Sequence, residues 1–390
     1  MRIRFKKTVI CVLFLCTVLP LGSVFAQKPS LKIAVVERSR LLNSNEARGT
    51  LLKLAASYKK QILRRTNSSL RIDLKKIPFS GDQERLKEQL EQFVADGGHF
   101  VFLPDDPEAQ SEILAKQAKL PVSFLSFSGS KPKKLPKKRY WRFVPDTTAG
   151  LQGLAERLNA KGIQNVILVA EDSEAGEQRL SSFTKLWSAR KGKVQLVVKH
   201  DQKLGRVSKI TADLIRGVSE SLQEAEKTAI VLMIPEFYDE ILADAEHFAI
   251  LKKVSWYAEE SVFKDNVLDR GFSQAMAAAV KLTAIRLQER ASSKTYRGIQ
   301  YRLKQGVRSK TSFADWAAVD ALFLLTDQAI KDPRFWEQKN WQSDFIESAA
   351  SKNLFTGRFD FDRNQLRSGG SFEIKQVTER NGRVYWKVIK

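Results

Sequence analysis

Short apolar runs alternate with amphipathic stretches along this chain, and the alternation runs through twice. Residues 31–37 (LKIAVVE) read as a buried strand, and residues 46–64 as a helix with Leu51, Leu52, Leu54, Ala55, Tyr58 and Ile62 on one broad face. Residues 70–77 read as a half-exposed strand. Residues 82–96 carry Leu86, Leu90, Phe93 and Val94 at helical spacing, and Gly97-Gly98 supplies a left-handed stop. Strands are predicted at 99–103 (HFVFL) and 121–127 (PVSFLSF), with a helix between them that Asp106 caps and Pro107 opens. The pattern then restarts. A helix runs from Asp146 to Lys161 and ends at Gly162. Strands follow at 165–170, 194–199, 229–234 and 254–257, with helices near 176–188 and 209–225. Strands of four to eight residues separated by helices imply βαβ units and mainly parallel sheets. Two such units predict two similar α/β lobes. No shorter repeat points to a solenoid.

The last third is less regular. Residues 271–289 and 313–330 read as helices, the second strongly apolar, with Trp316 in its core. Residues 359–361, 371–377 and 383–389 read as strands, the last two joined by an Asn381-Gly382 hairpin turn.

The first 26 residues read as a cleavable export signal. Arg2, Arg4, Lys6 and Lys7 form a positive head, residues 9–21 an apolar run, and Val24-Phe25-Ala26 a small-residue cleavage site. The run is short of the ~20 residues a bilayer span needs, which argues against a retained anchor. The expected location is therefore the periplasm or the outside of the cell. Cleavage removes Cys11 and Cys16, so the remaining chain has no thiol for a disulfide, a nucleophile or a metal. The 364 residues left of the 390 suit two domains.

Removing four positive residues leaves +18 of the formal +22. In an exported protein this charge points to lipid head groups or wall polymers, and no zinc finger, helix-turn-helix or aromatic-interleaved basic strand supports a nucleic-acid partner. Six of its positive charges fall in nine residues, Lys131 to Arg139, kept extended by Pro132 and Pro136. The run is either a solvated loop or a docking element for an anionic surface.

No catalytic constellation stands out. His99, His200 and His247 are scattered, without the i,i+4 pairing a metal would use. There is no G-x-S-x-G, no G-x-x-x-x-G-K and no G-x-G-x-x-G. Asp360 and Asp362 on one strand face make a poor calcium site. No cofactor or metal is expected, and the chain reads as a non-enzyme. Spread carboxylates leave glycosidase chemistry open, since it needs only two.

Several segments, in this order, resemble the type I periplasmic solute-binding proteins, the family of the leucine/isoleucine/valine receptors of ABC transporters. They are Tyr140-Trp141-Arg142-Phe143-Val144-Pro145-Asp146 with Gly150, then Val169-Ala170-Glu171-Asp172 with Ala175-Gly176-Glu177. Ala318-Val319-Asp320-Ala321, Phe355-Thr356-Gly357-Arg358-Phe359-Asp360-Phe361-Asp362 and residues 371–377 follow. The resemblance implies two doubly wound parallel-sheet lobes joined by three crossings, with a ligand cleft between them. It places residues 27–143 with about 266–345 in the first lobe, and 144–265 with about 346–390 in the second. It implies capture of a small polar molecule and delivery to an ABC transporter permease. The alternative is an envelope interaction or sensory protein with a degenerate cleft.

By the same resemblance the cleft residues are Asp105 and Asp106; Ser126, Ser128, Gly129 and Ser130; and Glu171, Asp172, Ser173, Glu236, Tyr238 and Glu259. The serines would hold a ligand carboxylate, and Glu259 an ammonium. Two departures argue against a branched-chain amino acid. Asp106 would face the carboxylate, and like charges ~4 Å apart repel by about 4 kcal/mol at an effective dielectric of 20. Ala175 stands where the family carries an aromatic wall. Bland alternatives stay open: Asp106 as a helix cap, the serines as turn chemistry, Glu259 as a solvated surface acid.

Overall fold

The structure is a computed structural model. It describes residues 29–38, 42–104, 106–129, 139–200, 207–234, 237–259, 271–287, 291, 293–308, 311–362, 364–367 and 372–389. The expected export signal lies outside them, and among the described residues no helix is long and apolar enough to cross a membrane.

The first lobe is built from β1 (Ser30–Arg38), α1 (Leu42–Arg65), β2 (Arg71–Phe79), α2 (Gln83–Ala95), β3 (Phe100–Phe102), α3 (Pro107–Gln117), β4 (Ser123–Ser126) and β5 (Tyr140–Arg142). Its five strands are all parallel, in the order β2-β1-β3-β4-β5. The second lobe follows with α4 (Thr147–Ala160), β6 (Asn165–Glu171), α5 (Glu174–Ser188), β7 (Lys193–His200), α6 (Val207–Glu220), β8 (Thr228–Met233), α7 (Tyr238–Ala245), β9 (Ser255–Ala258), α8 (Gly271–Ala279) and β10 (Thr283–Leu287). Its parallel strands run β7-β6-β8-β9-β10, the order of the first lobe repeated. The twin lobes expected from the doubled alternation are therefore twins in topology.

The chain then returns to the first lobe through α9 (Lys294–Gln305), α10 (Phe313–Lys331), α11 (Trp341–Ala350) and the two-residue strands β11 (Asn353–Leu354) and β12 (Gly357–Arg358). It ends in the second with the hairpin β13 (Phe372–Arg380) and β14 (Arg383–Ile389). That hairpin extends the second sheet antiparallel beyond β10. Asn381 and Gly382 both have positive φ at its turn, as the Asn-Gly pair requires.

Each parallel sheet is apolar on both faces. β1, β3, β6 and β8 are almost wholly buried, as strands covered by helices on both sides must be. In the first lobe one face packs against α1, α9, α10 and α11, and the other against α2 and α3. In the second the two faces pack against α6, α7 and α8, and against α4 and α5.

The expected lobe boundaries near 266 and 346 do not match the sheets. The predicted helix at 271–289 stops at Ala279. Lys281 takes φ +49°, and Thr283–Leu287 becomes β10, seated between β9 and β13. Residues 271–287 thus belong with the second sheet. Leu354, Phe355 and Phe359 pack into the first lobe's core, so the chain re-enters the second only at β13. The predicted strand at 359–361 is reduced to one bridge, Phe361 with Arg367.

Candidate functional site

In both sheets the strand order reverses between the first and third strands, β1 and β3 in one lobe and β6 and β8 in the other. Loops diverge there at the carboxyl ends and leave a crevice. The chain also leaves the first lobe from the carboxyl end of β5 and returns after the carboxyl end of β10. The connections therefore lie at the same ends as the two crevices.

In the first lobe β1 ends on Arg38, and α3 begins beside it. Asp106 caps α3, accepting from the Glu108 N–H at 2.9 Å, and pairs with Arg38. The capping reading of Asp106 thus holds, and its charge is met by a guanidinium of the same chain. Ser126 closes β4. Its buried hydroxyl donates to Gln110 Oε1 at 2.7 Å and accepts from the Ser128 N–H at 3.2 Å. Ser128 is buried one turn residue further on, and the Gly129 carbonyl accepts from Arg142 Nη1 at 3.3 Å. These serines shape a turn. Asp105, Ser130 and the basic run through Lys138 lie outside the described residues.

In the second lobe Glu171 ends β6, and Glu259 directly follows β9. Both meet one guanidinium: Arg179 on α5 places Nη2 3.1 Å from Glu171 and Nη1 3.3 Å from Glu259. All three side chains are largely buried, at 16%, 8% and 11% exposure for Glu171, Glu259 and Arg179. A buried charge is retained only when paired and hydrogen-bonded, so this bridge holds α5 against the ends of β6 and β9. Ser173 caps α5, accepting from the Gly176 N–H at 3.0 Å. Asp172 is exposed at the rim, its N–H donating to the His200 carbonyl at 2.8 Å.

Tyr238 opens α7 with its side chain in the lobe core, packed among Ile241, Trp256 and Leu232. Before it Phe237 has φ +60°, an uncommon conformation for a bulky residue, and its ring meets His200 edge-on at 5.0 Å. Glu236 lies outside the described residues. The structure therefore brings Glu171, Ser173 and Glu259 to the carboxyl ends of the second lobe's strands, and Asp106, Ser126, Ser128 and Gly129 to those of the first.

Arg38, Arg142 and Arg179 were not singled out as site residues by the sequence reading. Arg179 is 80 residues from Glu259 in sequence, and its pairing is a product of the fold. A shallow groove of about 600 Å³ between α5 and the edge strand β7, with Glu177 paired to Lys199 at its mouth, lies at the sheet edge rather than between the lobes. Among the described residues no group of three or more His, Cys, Asp or Glu could hold a metal ion.

No curated protein matches the chain at a significant level. A family model described as "Receptor family ligand binding region" matches residues 53–380. Solved structures with the same fold include an ABC transporter substrate-binding protein from Desulfitobacterium hafniense, with TM-score 0.69, 15% identity, and 92% and 100% of the two chains covered. Another is a solute-binding protein from Rhodopseudomonas palustris BisB5 in complex with 3,4-dihydroxy benzoic acid, with TM-score 0.70, 13% identity, and 93% and 96% covered. A third is the branched-chain amino acid transporter substrate-binding protein from Streptococcus pneumoniae in complex with isoleucine, with TM-score 0.65, 14% identity, and 92% and 99% covered. At these identities the likeness establishes the fold, two lobes of parallel sheet. With the family model spanning most of its length, this chain belongs to the receptor-family ligand-binding region, the type I periplasmic binding protein-like family, as a divergent member.

Proposed function

We propose that the protein is a solute-binding protein of the cell envelope. It captures a small polar organic molecule between its lobes and delivers it to an ABC transporter permease. The supporting observation is the repeated strand order, β2-β1-β3-β4-β5 and β7-β6-β8-β9-β10, with polar and charged side chains gathered at the carboxyl ends of both sheets. Solved structures of this fold include complexes with leucine, isoleucine, 3,4-dihydroxy benzoic acid and benzoate. Closure of such lobes expels water and strengthens each polar contact. The export signal read in residues 1–26 suits this reading.

A second reading has one observation in its favour. Glu171 and Glu259 are already paired with Arg179, as a cleft emptied of its ligand would allow. The protein would then serve as an envelope interaction or sensory module. Thermal unfolding against amino acids, aliphatic and aromatic acids, amines, amides and sugars separates the two. A solute receptor gains several degrees with one class, because a ligand bound only by the native state stabilises it by mass action. Uniform silence favours the second reading.

A further inference from the structure

Two stretches of the chain carry many cations and no acid. No Asp or Glu occurs between Glu46 and Asp73, or between Glu289 and Asp315. The first stretch holds most of α1 and the second all of α9. In the first lobe these helices touch. Leu54 of α1 lies against Gly306 at the end of α9, where an added Cβ would stand 2.7 Å from the Leu54 Cδ1. Tyr296 of α9 meets Phe323 of α10 edge-on at 6.5 Å, and Phe323 stacks with Tyr58 of α1 at 6.4 Å. Ile299 and Leu303 complete the buried side of α9. The apolar sides of both helices thus face the core, and their outer flanks adjoin.

The cations divide by direction. Arg48 and Lys59 of α1 turn inward and pair with Asp315 and Asp327 of α10. Asp320, the remaining acid of α10, accepts from the Phe355 and Thr356 N–H groups. Outward, Lys53, Lys60, Arg64 and Arg65 of α1 are exposed, as are Lys294, Arg297, Arg302 and Lys304 of α9. None of these eight has an acidic partner among the described residues. Lys53, Lys60 and Arg64 recur at i, i+7 and i+11 along one side of α1. Arg297, Tyr301 and Lys304 recur at i, i+4 and i+7 along α9. Tyr301 is 66% exposed. Like charge gathered in this way repels itself, and an anionic partner relieves the repulsion.

We propose that this face of α1 and α9 docks the protein on a bilayer of anionic phospholipid. The charges are spread along the flanks of two packed helices, not gathered around one point, which suits a continuous array of phosphates better than a single anion. Tyr301 offers among them an amphipathic ring of the kind favoured at headgroup level. Ile299 and Leu303 are committed to the core, so the buried side of α9 is not free to insert. The attachment is therefore electrostatic and reversible by salt. It keeps the protein beside any partner embedded in the membrane. The docking stands apart from solute capture and is tested without a solute.

The test uses the chain from Gln27 onward, which keeps every described residue and removes the apolar run at 9–21 that could itself enter a bilayer. Co-sedimentation is measured with vesicles of phosphatidylcholine alone and with vesicles containing about one-third phosphatidylglycerol, where each nearby cation adds about fivefold in affinity. The wild type should bind the anionic vesicles and ignore the neutral ones. Binding should vanish between about 0.1 and 1 M NaCl, as the screening length falls from about 10 to 3 Å. Arg297→Gln/Arg302→Gln/Lys304→Gln should weaken it by about a hundredfold. Arg297→Lys/Arg302→Lys, which keeps the charge, should bind as the wild type does. Lys133→Gln/Lys134→Gln/Lys137→Gln/Lys138→Gln, in the separate basic run, should retain most of the binding. Circular dichroism and a cooperative unfolding transition establish that each variant folds.

Equal binding to both kinds of vesicle overturns the proposal, as does a triple Gln variant that binds like the wild type. Loss confined to the variant of the basic run moves the docking away from α1 and α9 and overturns it too. A wild type that ignores anionic vesicles yet binds soluble polyphosphate through Arg297, Arg302 and Lys304 makes the partner a soluble polyanion, and the bilayer assignment fails.

Discussion

The carboxylate of Asp320, on α10, accepts hydrogen bonds from both the backbone N–H of Thr356, at 2.9 Å, and the Thr356 hydroxyl. It also accepts from the Phe355 N–H at 2.8 Å. The Thr356 hydroxyl in turn accepts from Arg367 Nη1 at 2.8 Å, and Arg367 Nη2 donates to the carbonyls of Thr356 and Arg358. Arg367 is fully buried, with Phe359 stacked 4.1 Å from its guanidinium carbon. Its backbone N–H donates to the Arg142 carbonyl at 3.0 Å. The late segment is thus tied to α10 and to β5, just before the chain crosses for the last time. This gives a physical reason for Val319-Asp320-Ala321 and Thr356-Gly357 to occur together.

Removing the Asp320 carboxylate strands two buried backbone donors and the Arg367 charge. Asp320→Ala should lower stability by roughly 3 kcal/mol or more, and Thr356→Val by about 1–2 kcal/mol, read by urea unfolding. Burial pushes the Asp320 carboxyl up to about 7, against the opposing hydrogen bonds from Thr356 and Phe355 and the charge of Arg367. A folded value above the unfolded 3.8 means that the protonation-linked stability is complete below that pH and is lost as pH rises through about 7. Asp320→Asn cannot titrate there. The stability of the wild type relative to Asp320→Asn should therefore shrink between pH 4 and 7, and a difference that grows with pH contradicts the assignment.

The doubled βαβ architecture was legible because buried strands and amphipathic helices differ in period, and the first lobe shows both without interruption. β10 was hidden because Ala275–Ala279 and Thr283–Leu287 form one nearly continuous apolar stretch, and only the left-handed Lys281 divides them. Placing Phe355 and Thr356 in the second lobe failed for a related reason. Their partner Asp320 is 35 and 36 residues away in sequence, and the buried Arg367, 11 residues beyond Thr356, looks like a surface arginine in the chain. The acids of the candidate site could be named from motifs. Arg179 could not, because a charged residue on a helix carries no mark of the strand ends it will reach.

Gly176 is required by a close approach. A Cβ there would stand 1.9 Å from the Glu171 carbonyl oxygen, an immovable backbone atom of β6. Gly176→Ala must push α5 away from the strand end and loosen the Arg179 bridge. A loss of about 2 kcal/mol or more in urea unfolding is expected.

His99 gives an acid-sensitive limb. Burial, aided by the Lys32 charge, holds the imidazole down to about 4 from 6.5, and its ring centre lies 4.0 Å from that of Trp336. With the folded value below the unfolded one, the neutral ring's contribution is present above pH 6.5 and is lost as pH falls through about 4. His99→Phe should flatten the wild type's loss of stability over that window in thermal unfolding at stepped pH. An unchanged slope would assign the acid loss to other groups.

The first crossing carries its own ion pair. Arg142, at the end of β5, places Nη2 3.2 Å from Asp146, which caps α4 in the other lobe through the Thr148 N–H at 2.9 Å. Burial alone would raise the Asp146 carboxyl, but the Thr148 N–H and hydroxyl and the Arg142 guanidinium hold it below the usual range. Its contribution is therefore present above about pH 4 and is lost at lower pH. Capping and pairing can be separated. Asp146→Asn keeps an equally good cap and loses only the charge, so it should cost less than about 1 kcal/mol at this half-exposed site. Asp146→Ala loses the cap as well and should cost about 1 kcal/mol more. If the pair also restrains the lobes, Asp146→Asn broadens the range of lobe separations seen by small-angle scattering while unfolding changes little. A scattering curve identical to the wild type's would confine Arg142 and Asp146 to the stability of the crossing.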